Sequence, residues 1–264
     1  MKYFKKTKLE IIKEIYLKFL KNQIKQKYTI EYIGNHLNQF LTTEGIDREI
    51  KKYIPKNDAR KIKSTMDIIR GKLAEEITKF LLNEYFKNDK DYSHIRVEYV
   101  GNLPKDIKEL VEKIRLHRNK ISAIKKPDMD LIAYSTKYKD RFIILSVKGT
   151  ARERIGQFLS NIFIFDPNCI TAKYGKSLYY FNKSLPKFKM MFICFDMAKK
   201  GDFSFKDEEE ARRKRLSSVK QLEVYLIDDD PNIGYGVFVL NNLYKLHKVG
   251  SFSSLVAKLK EFFG

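Results

Sequence analysis

Two aspartates, Asp128 and Asp130, open one apolar run, and Lys148 closes the next, with a polar stretch at 135–141 between them. If Tyr134 pairs with Phe142 across that turn, Asp130 lies opposite Ser146 and Asp128 opposite Lys148. Alternate residues of a strand share a face, so Asp128 and Asp130 point one way together, as do Ser146 and Lys148. The expected product is a two-stranded ribbon with carboxylates and one ammonium gathered at one end. Carboxylate oxygens suit Mg²⁺, which keeps several waters and takes only one or two protein carboxylates. Such a metal activates water and neutralises phosphate charge, while a lysine beside it stabilises the transition state or orients the water. These are parts for hydrolysing a phosphodiester. The plain alternative for each residue alone is a solvated ion pair at a strand end, and Pro127-Asp128 is a common turn dipeptide.

The ribbon needs neighbours to hold it. A long helix is expected from about Ser64 to Phe86, with Met66, Ile69, Leu73, Ile77, Phe80 and Leu81 on its main apolar face. Gly71 and Glu75 share a second face, and Glu76 flanks the first. A glycine inside a helix costs up to about 1 kcal/mol against alanine, so Gly71 points to close packing on another element. The simpler account of both glutamates is a solvated face. Upstream, residues 8–28 carry apolar positions at helical spacing, and 29–55 read as shorter helical pieces. Residues 1–60 are therefore expected to form a helical subdomain or dimerisation arm, and 61–264 the main domain.

Further along, Ile95 to Val100 reads as a strand, Pro104 to Asn119 as a basic surface helix and Thr150 to Phe165 as a helix. Lys173 to Lys189 reads as irregular, basic and aromatic. Met190 to Met197 is a nearly continuous apolar run, the mark of a strand covered on both faces. Asp207 to Lys220 reads as a charged helix, Glu223 to Ile227 and Tyr235 to Asn241 as strands, and Phe252 to Phe263 as an amphipathic helix. Strands alternating with helices give an α/β fold with a mixed central sheet flanked by helices.

The chain as a whole narrows the partner. Its 53 Lys+Arg against 33 Asp+Glu give a net charge of +20, more than solubility requires. The excess points to a polyanion, nucleic acid or an anionic membrane surface. No apolar run approaches the roughly 18 to 20 residues of a spanning helix, and the basic start lacks the apolar core of a signal peptide. Cys169 and Cys194 have no metal-site spacing and read as reduced packing residues, so a cytoplasmic location is expected. The 4 histidines show no pairing suited to a metal. Asp228-Asp229-Asp230 reads as a turn before Pro231.

Pro127-Asp128, the strand after it, and Ser146-Val147-Lys148 resemble the signature of the PD-(D/E)xK nucleases. The helix with Arg70-Gly71 and Glu75-Glu76 is similar to the one that precedes this signature in many members. Directly after it, Lys148-Gly-Thr-Ala-Arg152-Glu153-Arg154 resembles the Lys-x-x-x-Arg-(Asp/Glu)-Arg motif of type II restriction endonucleases reading CCGG, CCNGG or CCWGG sites. The resemblance covers roughly residues 70–160 and implies a restriction-endonuclease-like core. It also implies Mg²⁺ as cofactor, double-stranded DNA as substrate, and cleavage at a palindrome with a CCGG-like centre leaving 5′-phosphate ends.

Arg can donate two hydrogen bonds to guanine, and a carboxylate can accept from cytosine N4. Arg152, Glu153 and Arg154, with Gln157 one turn on, are the expected DNA-reading residues. A homodimer, or a higher oligomer built from it, would supply the second half-site. The competing account makes Thr150 and Glu153 a capping box, with the arginines solvated.

One departure concerns the second metal ligand. Many members of the group place a carboxylate about thirteen or fourteen residues after the lysine, where this chain has Asn161 and Ile162, while Ser146 takes the ordinary Glu position. The expected catalytic and metal set is Asp130, with Asp128 close behind, Lys148, Asn161 as a neutral donor, and Glu75 or Glu76. Two other readings remain: a structure-specific nuclease such as a Holliday-junction resolvase, or a catalytically decayed DNA-binding protein.

Overall fold

The computed structural model describes residues 2–40, 59–114, 116–118, 121–125, 129–148, 179–181, 186–194, 235–239 and 249–264. The chain begins with three helices, α1 (Lys2–Gln26), α2 (Ile30–Asn35) and α3 (Leu37–Phe40), and the long α4 (Ala59–Lys87) follows. After β1 (Ile95–Glu98) and a 3-10 turn come α5 (Lys105–Glu112), β2 (Leu116–Arg118) and β3 (Ile121–Lys125). The central hairpin is β4 (Leu131–Ser135) and β5 (Arg141–Lys148). Then come β6 (Tyr179–Phe181), β7 (Lys187–Cys194), β8 (Tyr235–Val239), β9 (Val249–Gly250) and α6 (Phe252–Phe263).

The main sheet has the order β1-β4-β5-β7-β8-β9. Its first three strands are antiparallel and the rest add on in parallel, so the sheet is mixed. Every residue of β4 is buried, as is β5 between its two ends, because both faces of these strands are covered. One face, carrying Leu131, Ala133, Ile143, Leu145, Val147, Met191 and Ile193, joins a core with the helices. There α4 contributes Ile69, Leu73, Ile77, Leu81 and Phe86, at helical spacing. The N-terminal helices share that core through Ile12, Tyr16, Leu20 and Ile33. Residues of the other parity, including Ile132, Ile144 and Phe192, are buried as well, and α5 packs against β5. Among the described residues, no helix is long and apolar enough to cross a membrane.

Several elements depart from their sequence expectation. The helix expected over Pro104 to Asn119 stops at Glu112, and Leu116–Arg118 becomes the middle strand of a second sheet, β3-β2-β6. Lys105 and Lys108 are balanced there by Asp106, Glu109 and Glu112, and Ile107 and Val111 are buried, so α5 is neither basic nor purely a surface helix. Part of the stretch read as irregular is β6, and β7 starts at Lys187, ahead of its apolar run. Lys187 and Lys189 each lie 5.6 Å from the Phe262 ring, so the strand's first lysines rest on α6 and do not break it. The expected helices at 150–165 and 207–220, the strand at 223–227 and the turn at 228–230 lie outside the described residues.

The far end of the hairpin carries a pH-sensitive latch. Ser135 Oγ accepts hydrogen bonds from the Lys137 and Tyr138 amides, both at 2.9 Å, and lies 2.9 Å from His94 Nδ1. With both amides donating, the hydroxyl hydrogen is left for His94, which must then be neutral with its proton on Nε2. Burial, and then the charges of Lys137 and Arg96, hold the His94 pKa below its ordinary value. The unfolded chain therefore takes up this proton first as pH falls. The stability the latch contributes is complete above about pH 6.5 and is lost as pH falls through the depressed folded value. Melting temperature should drop between pH 7 and 5, and His94→Gln should flatten that drop. An unchanged slope in the variant would remove His94 from the account.

Candidate active site

The hairpin adopts the expected register, with Tyr134 opposite Phe142 and Leu131 opposite Leu145. Asp130, just before β4, therefore comes level with the end of β5, at the carboxyl edge of the parallel strands. In open α/β sheets, ligands bind outside that edge. Lys148 Nζ donates to Asp130 Oδ2 at 2.7 Å, and the Val147 amide donates to the same oxygen at 2.8 Å. The two side chains retain only 17% and 14% exposure, which makes the pair stiffer than a surface ion pair. Both of these hydrogen bonds fall on one carboxylate oxygen, Oδ2.

The third participant is Glu75 of α4, which is buried and lies within electrostatic reach of both Asp130 and Lys148. Lys72, one turn earlier, holds both its oxygens at 2.9 and 2.8 Å. Burial pushes the Glu75 carboxyl above its ordinary pKa. The Lys72 bonds and charge oppose this, Asp130 adds to it and Lys148 opposes it, and the net shift is upward. Glu75 thus feels both ends of the Asp130–Lys148 pair. Two carboxylates and a lysine arrive here from three separate elements.

Its neighbour Glu76 is engaged elsewhere. Glu76 Oε1 accepts from Lys13 Nζ of α1 at 2.8 Å. Burial works against the Glu76 charge, but Lys13, the Tyr99 hydroxyl and the charge of Lys79 outweigh it, and its pKa lies below the ordinary range. The Tyr99 hydroxyl is buried next to it, short of good hydrogen-bond geometry with any described group. Lys79 bridges to Glu98 at 2.6 Å and lies 4.8 Å from the Tyr99 ring. This network fastens α1 to α4 and β1. Glu75 faces the hairpin and Glu76 faces the N-terminal helix, a difference of one helical step.

The remaining expected residues, Asp128, Asn161, Arg152, Glu153, Arg154 and Gln157, lie outside the described residues. Ser146, in the position where the nuclease signature has Glu, is buried. Among the described residues Gly71 does not mark a close approach, because a Cβ built on it meets none of their atoms within 4 Å. Lys72 was not among the expected site residues, although the Lys-x-x-Glu spacing brings two such side chains together on a helix. The Val147 amide carries no signal in any side chain and emerges only from the register.

The donor set fits a hard divalent cation. Among the described residues no group of three or more His, Cys, Asp or Glu is disposed to hold a metal, but Mg²⁺ needs only one or two carboxylates beside its waters. Asp130 and Glu75 supply two, and their mutual repulsion is what a dication would relieve. The chain matches no family model and no curated protein by sequence, so a functional reading rests on these residues.

Proposed function

We propose that the protein is a Mg²⁺-dependent, sequence-specific endonuclease of double-stranded DNA, built on a restriction-endonuclease-like core. The observation that carries this reading is the Asp130–Lys148 pair at the carboxyl edge of a mixed sheet, with the buried Glu75 within electrostatic reach of both. The excess of basic residues supports a polyanionic substrate.

In this reading Asp130 and Glu75 hold the cation, with Asp128 as a further candidate ligand and Asn161 as a neutral one. When bound, Mg²⁺ lowers the pKa of a water and neutralises charge on the scissile phosphate. Lys148 sits on the bound oxygen of Asp130, which fixes its ammonium where a phosphate oxygen would gain charge during attack. The Val147 amide keeps the Asp130 carboxylate from rotating. Hydrolysis in line would leave a 5′-phosphate and a 3′-hydroxyl. Arg152, Glu153, Arg154 and Gln157 follow Lys148 closely in the chain and would read a CCGG-like centre. A two-fold dimer, or an assembly of such dimers, would present the second copy to the other half-site.

Plasmid DNA incubated with the protein and Mg²⁺ should give discrete bands, and EDTA should prevent them. Arg152→Ala or Arg154→Ala should abolish the bands by removing specific binding, each lost guanine contact costing about 1–3 kcal/mol of discrimination. A smear, or nicking of branched substrates alone, would indicate a structure-specific nuclease such as a junction resolvase. Binding without any cleavage would indicate a DNA-binding protein with a decayed nuclease core.

A further inference from the structure

The Asp130–Lys148 pair and Glu75 leave one cation at the site without a role. Lys72 binds both oxygens of Glu75, yet its own side chain is 49% exposed while the Glu75 side chain is only 7% exposed. Lys148, the other ammonium, is 17% exposed and is held against Asp130. Among the described residues the local charge is thus two carboxylates balanced by two lysines. A dication bound between the carboxylates would leave the cluster with a surplus of two positive charges. Repulsion between like charges is strong wherever water is partly excluded. One ammonium must then move out or find a new anion.

The exposures decide which one moves. Lys72 stands on the solvent side of the carboxylate, on a flexible four-carbon stem, and can enter water without breaking any other described contact. We propose that Lys72 is a placeholder for the metal: it neutralises Glu75 in the metal-free protein, yields the carboxylate when Mg²⁺ arrives, and then pairs with a phosphate of the bound DNA. Lys72 is thus a positioning residue. It holds the buried carboxylate in a ligating orientation and joins metal entry to DNA binding. The inference rests on the reading of the site as a metal-dependent nuclease and goes beyond it by giving the same lysine two successive anionic partners.

The experiment compares wild type, Lys72→Met and Lys72→Arg. Calorimetric titration with Ca²⁺ at pH 8 and without DNA measures metal affinity directly. Removing the competing ammonium should tighten Ca²⁺ binding by about two- to fivefold in Lys72→Met, the range that corresponds to a partly exposed ion pair. Binding of a labelled duplex is then followed against KCl concentration, once in EDTA and once in Ca²⁺. In EDTA, Lys72 is occupied by Glu75, so wild type and Lys72→Met should share one slope. In Ca²⁺, the wild-type slope of log affinity against log salt should be steeper by about 0.9, the value for one phosphate contact. Lys72→Arg should restore the wild-type slope.

A lysine that merely props up Glu75 would give weaker Ca²⁺ binding in Lys72→Met and equal slopes in both conditions. That result overturns the placeholder and leaves the nuclease reading standing. If wild type neither binds Ca²⁺ nor cleaves DNA with Mg²⁺, the nuclease reading fails, and the placeholder fails with it.

Discussion

Replacing Lys148 with Ala should lower the rate of DNA cleavage by about 10² to 10³-fold, the usual cost of losing one preorganised donor at a developing negative charge. Duplex binding should stay within about threefold, because one phosphate contact among many contributes little to total affinity. The expectation follows from the 2.7 Å bond to Asp130. That bond aims the ammonium, and its removal leaves the carboxylate still held by the Val147 amide. Breaking one partner of a partly buried pair also costs stability, so Lys148→Gln, which retains bulk and a donor but no charge, is the companion variant. It should melt close to wild type and still cleave slowly. Single-turnover cleavage with a matched binding isotherm separates the two effects. Normal cleavage by folded Lys148→Ala would remove this lysine from the mechanism, and with it the proposed assignment of the hairpin.

Phe252→Ala should destabilise the fold by about 3–5 kcal/mol, the range for deleting a buried aromatic ring. Phe252 is fully buried at the start of α6 and meets Tyr85 edge-on at 6.4 Å. It also lies directly on Gly34 of α2, where an added Cβ would come within 2.3 Å of the ring. Only a glycine lets the two helices approach so closely. Asn35 then donates to Ser253 Oγ at 2.8 Å, which fixes the crossing. Gly34→Ala should therefore cost about 1–3 kcal/mol through overpacking. The double variant Gly34→Ala/Phe252→Leu should lose less than the sum of its parts, because the smaller side chain makes room for the new methyl. Urea denaturation of wild type, Gly34→Ala, Phe252→Leu and the double variant tests this, and strict additivity would show that the two positions do not press on one another.

How much of this was legible in the sequence depended on the range of the signal. The hairpin register followed from the length of its polar turn, and α6 occupies the stretch marked by its apolar spacing, since both are local patterns. The long helix was legible for the same reason. The contrast between Glu75 and Glu76 was not, because each faces a different neighbour and helical periodicity alone leaves both flanking one apolar stripe. The strands β2, β3 and β6 escaped because each has at most five residues, and β6 pairs with β2 across a long separation in the chain. Short strands carry too few alternations to declare themselves. Gly71 misled in the opposite direction, since a helical glycine with open space around it leaves the same trace in sequence as one under a packed ring. Lys72 was visible as an i, i+3 partner, but its weight comes from the burial of Glu75, which no local pattern encodes.

The contact between Gly34 and Phe252 also bears on how the molecule comes to exist. Asn35 and Ser253 are 218 positions apart, and they seal the helical layer that backs the hairpin. Contacts of such span are entropically expensive to form early and slow the search for the native state. During synthesis, the hairpin and α4 emerge long before α6 does, so their apolar faces wait for the last element of the layer.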